Sequence, residues 1–179
     1  MAVTIIFESH ATTFDNEAGI ASGWNDNRLS PMGLDQARQL GERYRDLMPD
    51  AIFCSDLQRS VRTAMVAFDS MTPNLFFTDW RLRECNYGDN NGSDNVIVDG
   101  MKPQHVAVPF TGGESYAQCA DRIASFLADL KTRFDDKTIM VVGHRATQYG
   151  LEHWINNKPL EQVIVESWTW QPGWRYTLQ

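Results

Sequence analysis

The chain has 179 residues, of which 42% are hydrophobic and 22% charged, and this suits one soluble globular domain with a sizeable core. A formal net charge of −7 with no run of lysines or arginines argues against a general nucleic-acid binder. It leaves room for a small anionic ligand, because a few arginines can cluster in an acidic protein. Three widely spaced cysteines, Cys54, Cys85 and Cys119, form no CxxC motif and read as reduced thiols, with Cys54 in the core. There is no basic stretch followed by an apolar run at the N-terminus, and no apolar run of membrane-spanning length. The expectation is a cytoplasmic protein with no nucleic-acid or membrane partner. A homodimer is left open.

Taken in chain order, residues 3–8 (VTIIFE) read as a buried strand that ends at Ser9-His10. Residues 31–47 read as a helix, with Ser30 as N-cap, Pro31 in the first turn, and Ala37, Leu40, Tyr44 and Leu47 on one face. Residues 51–54 (AIFC) are a short buried strand, 57–70 a helix with Val61, Ala64, Met65 and Phe68 inward, and 75–78 (LFFT) a third strand. Residues 86–113, rich in Asn, Asp and Gly, are too long for a simple connection and read as a polar excursion or lid. A long helix follows over 114–134, then the most apolar strand at 138–143 (TIMVVG) and a helix over 146–156. The tail holds β-rich pieces at 162–166 and 174–178. Short buried strands alternating with helices predict a single α/β domain over 1–179, a three-layer sandwich around a mostly parallel sheet.

In such sheets, ligands bind at the carboxyl ends of the strands. That rule alone selects His10, Ser55-Asp56 and His144. With Arg59, Glu84 and Arg145 nearby in the same pattern, these groups suit phosphoryl transfer. A neutral imidazole can attack phosphorus, arginine matches phosphate oxygens with paired hydrogen bonds, and a carboxylic acid can protonate the leaving oxygen.

The same residues carry a resemblance. FESHATTFDN resembles the strand–Arg-His-Gly segment of the histidine phosphatase superfamily, phosphoglycerate-mutase-like branch, with Asn16 six residues after His10. LSPMGLDQA resembles its Leu-Thr-x-x-Gly-x-x-Gln-Ala, and SDLQRSVRTA its Ser-x-x-x-Arg-x-x-x-Thr-Ala, which places Arg59. LRECNYGDNNG resembles its Leu-x-Glu segment, placing Glu84. GGESYAQ resembles its Gly-Glu-Ser helix start, and VVGHRATQ its second histidine block, placing His144. The resemblance implies a phosphoglycerate-mutase-like fold and a metal-independent phosphatase without cofactor, acting on a small phosphorylated metabolite. In it His10 would be the phosphorylated nucleophile, Arg59 and His144 would hold the phosphoryl oxygens, and Asn16 would line the pocket. Glu84 would be proton donor and then base. Trp24, just after the nucleophile loop, would stand at the substrate entrance.

The departures are specific. Ser9 stands where the family has arginine, Ala11 where it has glycine, and Thr12 where it has an acid. Losing a charged hydrogen bond in a desolvated site costs a few kcal/mol, roughly a hundredfold or more in rate. Ser9 itself could donate to substrate. Arg145 is the first candidate to restore the charge, with a salt bridge to Glu8 as its competing use. Arg62, one turn after Arg59, and Arg83, beside Glu84, are the others. Two further readings stay open: an anion-binding family member without turnover, and His/Glu acid–base chemistry on a less charged substrate.

Overall fold

The computed structural model describes residues 2–68 and 76–179. Strands β1 (Val3–Ser9), β3 (Ala51–Cys54), β4 (Phe76–Thr78), β6 (Thr138–Gly143) and β7 (Trp174–Leu178) form one sheet. A small ribbon is made by β2 (Ile20–Ala21) and β5 (Ser93–Asp94). The helices are α1 (Phe14–Glu17), α2 (Pro31–Arg43), α3 (Gln58–Phe68), α4 (Asn95–Met101), α5 (Tyr116–Arg133), α6 (Arg145–Trp154) and α7 (Leu160–Val163). The sheet order is β4, β3, β6, β1, β7, with every neighbouring pair parallel except β1 and β7.

The three-layer architecture follows from strands that are apolar on both sides. Ile5, Phe7, Ile139 and Val141 pack with Ile123, Phe126 and Leu151 of α5 and α6. Their alternates Ile6, Met140 and Val142 pack with Leu40 of α2 and with Ala64 and Phe68 of α3. Successive side chains point to opposite faces, so both layers of helices are fed by one apolar run. The α/β fold with its mostly parallel sheet is the one predicted. The cysteines are free and buried. Among the described residues no helix is long and apolar enough to cross a membrane.

Several local expectations need correction. The helix begun at Ser30 stops at Arg43, because Tyr44 leaves helical geometry and its hydroxyl donates to Glu8 at 2.7 Å. Pro49 further disfavours helical backbone in the residue before it. The 162–166 piece is a helical turn and not a strand. Pro159 opens it, and Leu160, Val163 and Ile164 share a buried face at i, i+3 and i+4. The excursion of 86–113 carries elements of its own, β5, α4 and two short 3-10 turns. Val98 and Phe110 bury themselves with Tyr116 and Tyr149 in a separate small core. Of the strand expected at 75–78, Phe76–Thr78 is present. Leu75, and residues 69–70 of the helix expected over 57–70, lie outside the described residues.

Candidate active site

Register places the chemistry. Ser9 pairs with Gly143 across β1 and β6, and the His10 amide donates to the Gly143 carbonyl at 2.9 Å. His10 and His144 therefore leave adjacent parallel strands at one level, and their ring centroids lie 5.0 Å apart. Ser55 leaves β3 on the other side of β6. The loop after His10 is pinned rather than free. The Ala11 amide donates to Thr63 Oγ1 at 2.9 Å and the Thr12 amide to Gln36 Oε1 at 2.9 Å. Gly33 of α2 lies against this loop so closely that a Cβ there would stand 1.9 Å from the Thr12 carbonyl oxygen.

His10 has a defined tautomer. Its Nδ1 is 2.8 Å from the Ala11 carbonyl oxygen, which can only accept, so Nδ1 carries the proton and Nε2 the lone pair. Burial, then the Arg59 charge, pushes its pKa down to about 3. The imidazole is neutral throughout the physiological range. His144 is 1% exposed, with Nε2 2.6 Å from Ser55 Oγ and a buried Nδ1 that meets no protein partner. Burial first, then Arg59 and His10, hold it well below the usual imidazole pKa. If the Ser55 hydroxyl donates to Nε2, Nδ1–H is an uncommitted donor.

Arg59, in the first turn of α3, is 2% exposed and donates to the Asn25 and Gly23 carbonyls at 3.1 and 2.7 Å. Burial pulls its pKa down while the Glu84 carboxylate opposes this, and a guanidinium stays charged. No carboxylate pairs with it among the described residues. Glu84 sits over the N-terminus of α6. Its Oε1 accepts from the Cys85 and Ala146 amides at 2.8 and 3.1 Å, and Oε2 from the Arg145 amide at 3.2 Å. The main chain at Glu84 is held as well, its carbonyl accepting from Trp24 Nε1 at 2.7 Å and from Arg122 at 3.2 Å.

A cleft of about 1000 Å³ is lined by Ser9, His10, Asn16, Arg59, Glu84 and Arg145, and His144 is buried with its ring 5.0 Å from that of His10. Asn16 Oδ1 is used by the Thr13 amide and hydroxyl at 3.0 and 2.9 Å, which caps α1 and leaves the amide nitrogen for a ligand. Three candidates fall outside the cleft wall. Arg62 points to solvent from α3. Arg83 is committed to Asp56 through two hydrogen bonds of 2.7 and 2.6 Å, and its guanidinium lies 4.5 Å from the Trp24 ring. Trp24 braces Glu84 from behind and does not form the entrance. Arg145 is in the wall, but the Glu8 pairing does not form, because Glu8 is taken by Arg43 and Tyr44. Ser55 and Thr63 belong to the site's support. Their signal in the sequence is a small hydroxyl at a strand end and a hydroxyl one turn after Arg59. Lys102, on the excursion, also lines the cleft and had no signal beyond its charge.

A sheet-end histidine pair with a buried arginine and a carboxylate at a helix N-terminus defines a phosphoglycerate-mutase-like α/β domain. Comparison gives the family: residues 5–165 match the histidine phosphatase superfamily (branch 1), and the chain belongs to it. It is 29% identical over 151 residues to the protein named "Putative phosphoserine phosphatase 2" of Hydrogenobacter thermophilus, covering 79% of this chain and 73% of that one. It is 29% identical to the adenosylcobalamin/alpha-ribazole phosphatase of Escherichia coli, over 76% and 70% of the two chains. The fold is shared with YhfR of Bacillus stearothermophilus, with a TM-score of 0.81 at 24% identity over 94% of this chain and 87% of that one. Membership makes this a histidine-phosphatase-type enzyme.

Proposed function

We propose that the protein is a metal-independent phosphatase that hydrolyses a small phosphate monoester through phosphohistidine on His10. The observation that supports this most is the locked tautomer of His10, a neutral Nε2 lone pair beside Arg59 and the unpartnered His144 Nδ1. Nε2 attacks phosphorus as the P–O ester bond breaks, and protonated Glu84 gives its proton to the leaving oxygen. Glu84, now a carboxylate, takes a proton from water, which attacks phosphorus, and the N–P bond breaks to release inorganic phosphate. Arg59, His144 Nδ1–H and Asn16 hold the phosphoryl oxygens as charge builds on them. Hydrolysis is favoured over mutase action, since relatives matched over three quarters of this chain are named phosphatases. The test is hydrolysis of p-nitrophenyl phosphate and a panel of sugar, nucleotide and glycerate phosphates without added metal, by wild type and His10→Ala. Turnover in the wild type and a loss of at least a thousandfold in the variant, with acid-labile phosphate trapped on the wild-type protein alone, are expected. A folded wild type that turns over no ester would leave an anion-binding protein, the reading that Ser9 in place of arginine favours.

A further inference from the structure

Lys102 and Arg145 come from different parts of the chain, the excursion and the first turn of α6, and both line the cleft. They converge on one atom. Arg145 donates to the Tyr149 phenol oxygen at 3.1 Å and Lys102 Nζ to the same oxygen at 3.2 Å. Tyr149 is buried and fixed edge-on against Tyr116. Two like charges are thus held side by side on a rigid phenol in a partly desolvated wall, where their mutual repulsion is weakly screened. Compensation is incomplete. Lys102 has an ion pair with the exposed Asp99 at 2.7 Å, but Arg145 has no carboxylate partner among the described residues. Its other contacts are a 3.5 Å bond to Gln148 and faces of Tyr149 and Trp168, 4.9 and 5.0 Å away. The other arginine of the outer wall, Arg43, is neutralised by Glu8 at 2.8 Å.

Position says what this pair faces. The Arg145 amide holds Glu84 Oε2, so its side chain starts on the side of the acid, where the leaving oxygen must lie. The phosphoryl cradle is built from His10, His144 and Arg59. The cleft is far larger than a phosphate group. We infer that Lys102 and Arg145 form a second anion subsite that binds a carboxylate or second phosphate on the leaving group. The preferred substrate is then a small phosphate monoester that is itself an anion beyond the ester oxygen. This rests on the phosphatase reading only for calling that end the leaving group. Arg145 then selects the substrate rather than replacing the arginine missing before His10.

The test compares 3-phosphoglycerate, whose remainder carries a carboxylate, and glycerol 1,3-bisphosphate, whose remainder carries a second phosphate and no carboxylate, with glycerol 3-phosphate, which has a neutral remainder of similar size. KM is measured for wild type, Arg145→Gln, Lys102→Met and the double variant, with thermal melts as the folding control. In parallel, binding of the same three compounds to His10→Ala and to His10→Ala/Arg145→Gln is measured by calorimetry. The wild type is expected to favour at least one anion-bearing ester by tenfold or more in KM. Whichever of the two binds more tightly identifies carboxylate or phosphate. Each single variant should shrink the preference and the double variant abolish it. Equal KM values in the wild type would overturn the subsite. So would an Arg145→Gln loss of equal size for all three compounds with weaker vanadate inhibition, since that would place Arg145 on the phosphoryl group. If no ester is hydrolysed, the phosphatase reading fails by itself. The preference in calorimetry, and its loss with Arg145, then still decides the subsite.

Discussion

His144 keeps one ring nitrogen on Ser55, and the other is buried without a protein partner. A buried imidazole in that condition is a cost that ligand binding can offset. In the proposed mechanism the Ser55 hydroxyl donates to Nε2 and so leaves Nδ1 a donor, and Ser55→Ala would remove that bond and free His144 to take either tautomer. One such hydrogen bond is worth about 1–2 kcal/mol, so kcat/KM on p-nitrophenyl phosphate should fall roughly tenfold or somewhat more, with weaker vanadate inhibition. Unchanged inhibition would mean that His144 does not donate to the anion. At this scale the sequence was informative where a side chain ends a strand. His10, His144, Arg59 and Glu84 each stand in a short local pattern, and the structure brings the four together. Arg62 and Arg83 were not separable from Arg59 in that way. Whether an arginine faces a cleft, solvent or an aspartate depends on helix rotation and on partners such as Asp56 that are far away in sequence.

The loop that presents Glu84 is held by a buried element-to-element clasp. Arg122 of α5 donates to the carbonyls of Arg81, Arg83 and Glu84 at 2.7, 3.1 and 3.2 Å. Its guanidinium also meets Glu114 through bonds of 2.7 and 2.8 Å, and Glu114 accepts from the Asn86 amide at 3.0 Å. Removing one partner of a buried ion pair leaves the other charge and several carbonyls unpaired. Arg122→Met is therefore expected to destabilise the protein by about 3–5 kcal/mol in urea unfolding. Because the loop carries Glu84, the proposed acid, the variant should lose more activity on an alkyl phosphate, whose leaving group needs a proton, than on p-nitrophenyl phosphate. Equal losses on both would make the clasp a matter of stability alone. The Gly-Glu-Ser helix start made Glu114 visible, but not that its partner lies two turns into the same helix. The excursion and the tail were the least legible elements. Val98, Phe110 and Ile164 are separated by polar stretches with no sustained period, so only the assembled small core shows that they belong together. At Val163–Val165 three β-branched residues suggested a strand, and burial of one helical face with Leu160 overrode that propensity.

At the scale of the whole molecule, a proposed phosphate site built from neutral histidines shapes the response to acid. In the unfolded chain His10 and His144 titrate near the ordinary imidazole value of about 6.5. In the folded protein burial and the Arg59 charge hold His10 at about 3 and His144 well below its usual value. Between those limits the unfolded state binds more protons, so stability falls as pH falls through about 6.5 toward 3. The lowered carboxylates, Asp50, Asp56 and Glu152, act in the same direction but only as pH approaches the ordinary carboxylate range. Buried Glu8 has its pKa raised by desolvation and acts in the opposite direction there, favouring the fold once it is protonated. The histidines therefore account for the first part of the decline. The wild type should melt at a lower temperature at pH 5 than at pH 7, and His144→Gln, which has nothing to titrate there, should show a smaller difference. Melting curves from pH 4.5 to 7.5 would measure this, and parallel curves for the two proteins would mean that His144 is protonated in the fold at pH 5. With both histidines neutral and Ser9 where the family has arginine, Arg59 is the cation that the proposed phosphoryl cradle keeps. Any further cation that recognises substrate then has to come from the wall, where Lys102 and Arg145 stand.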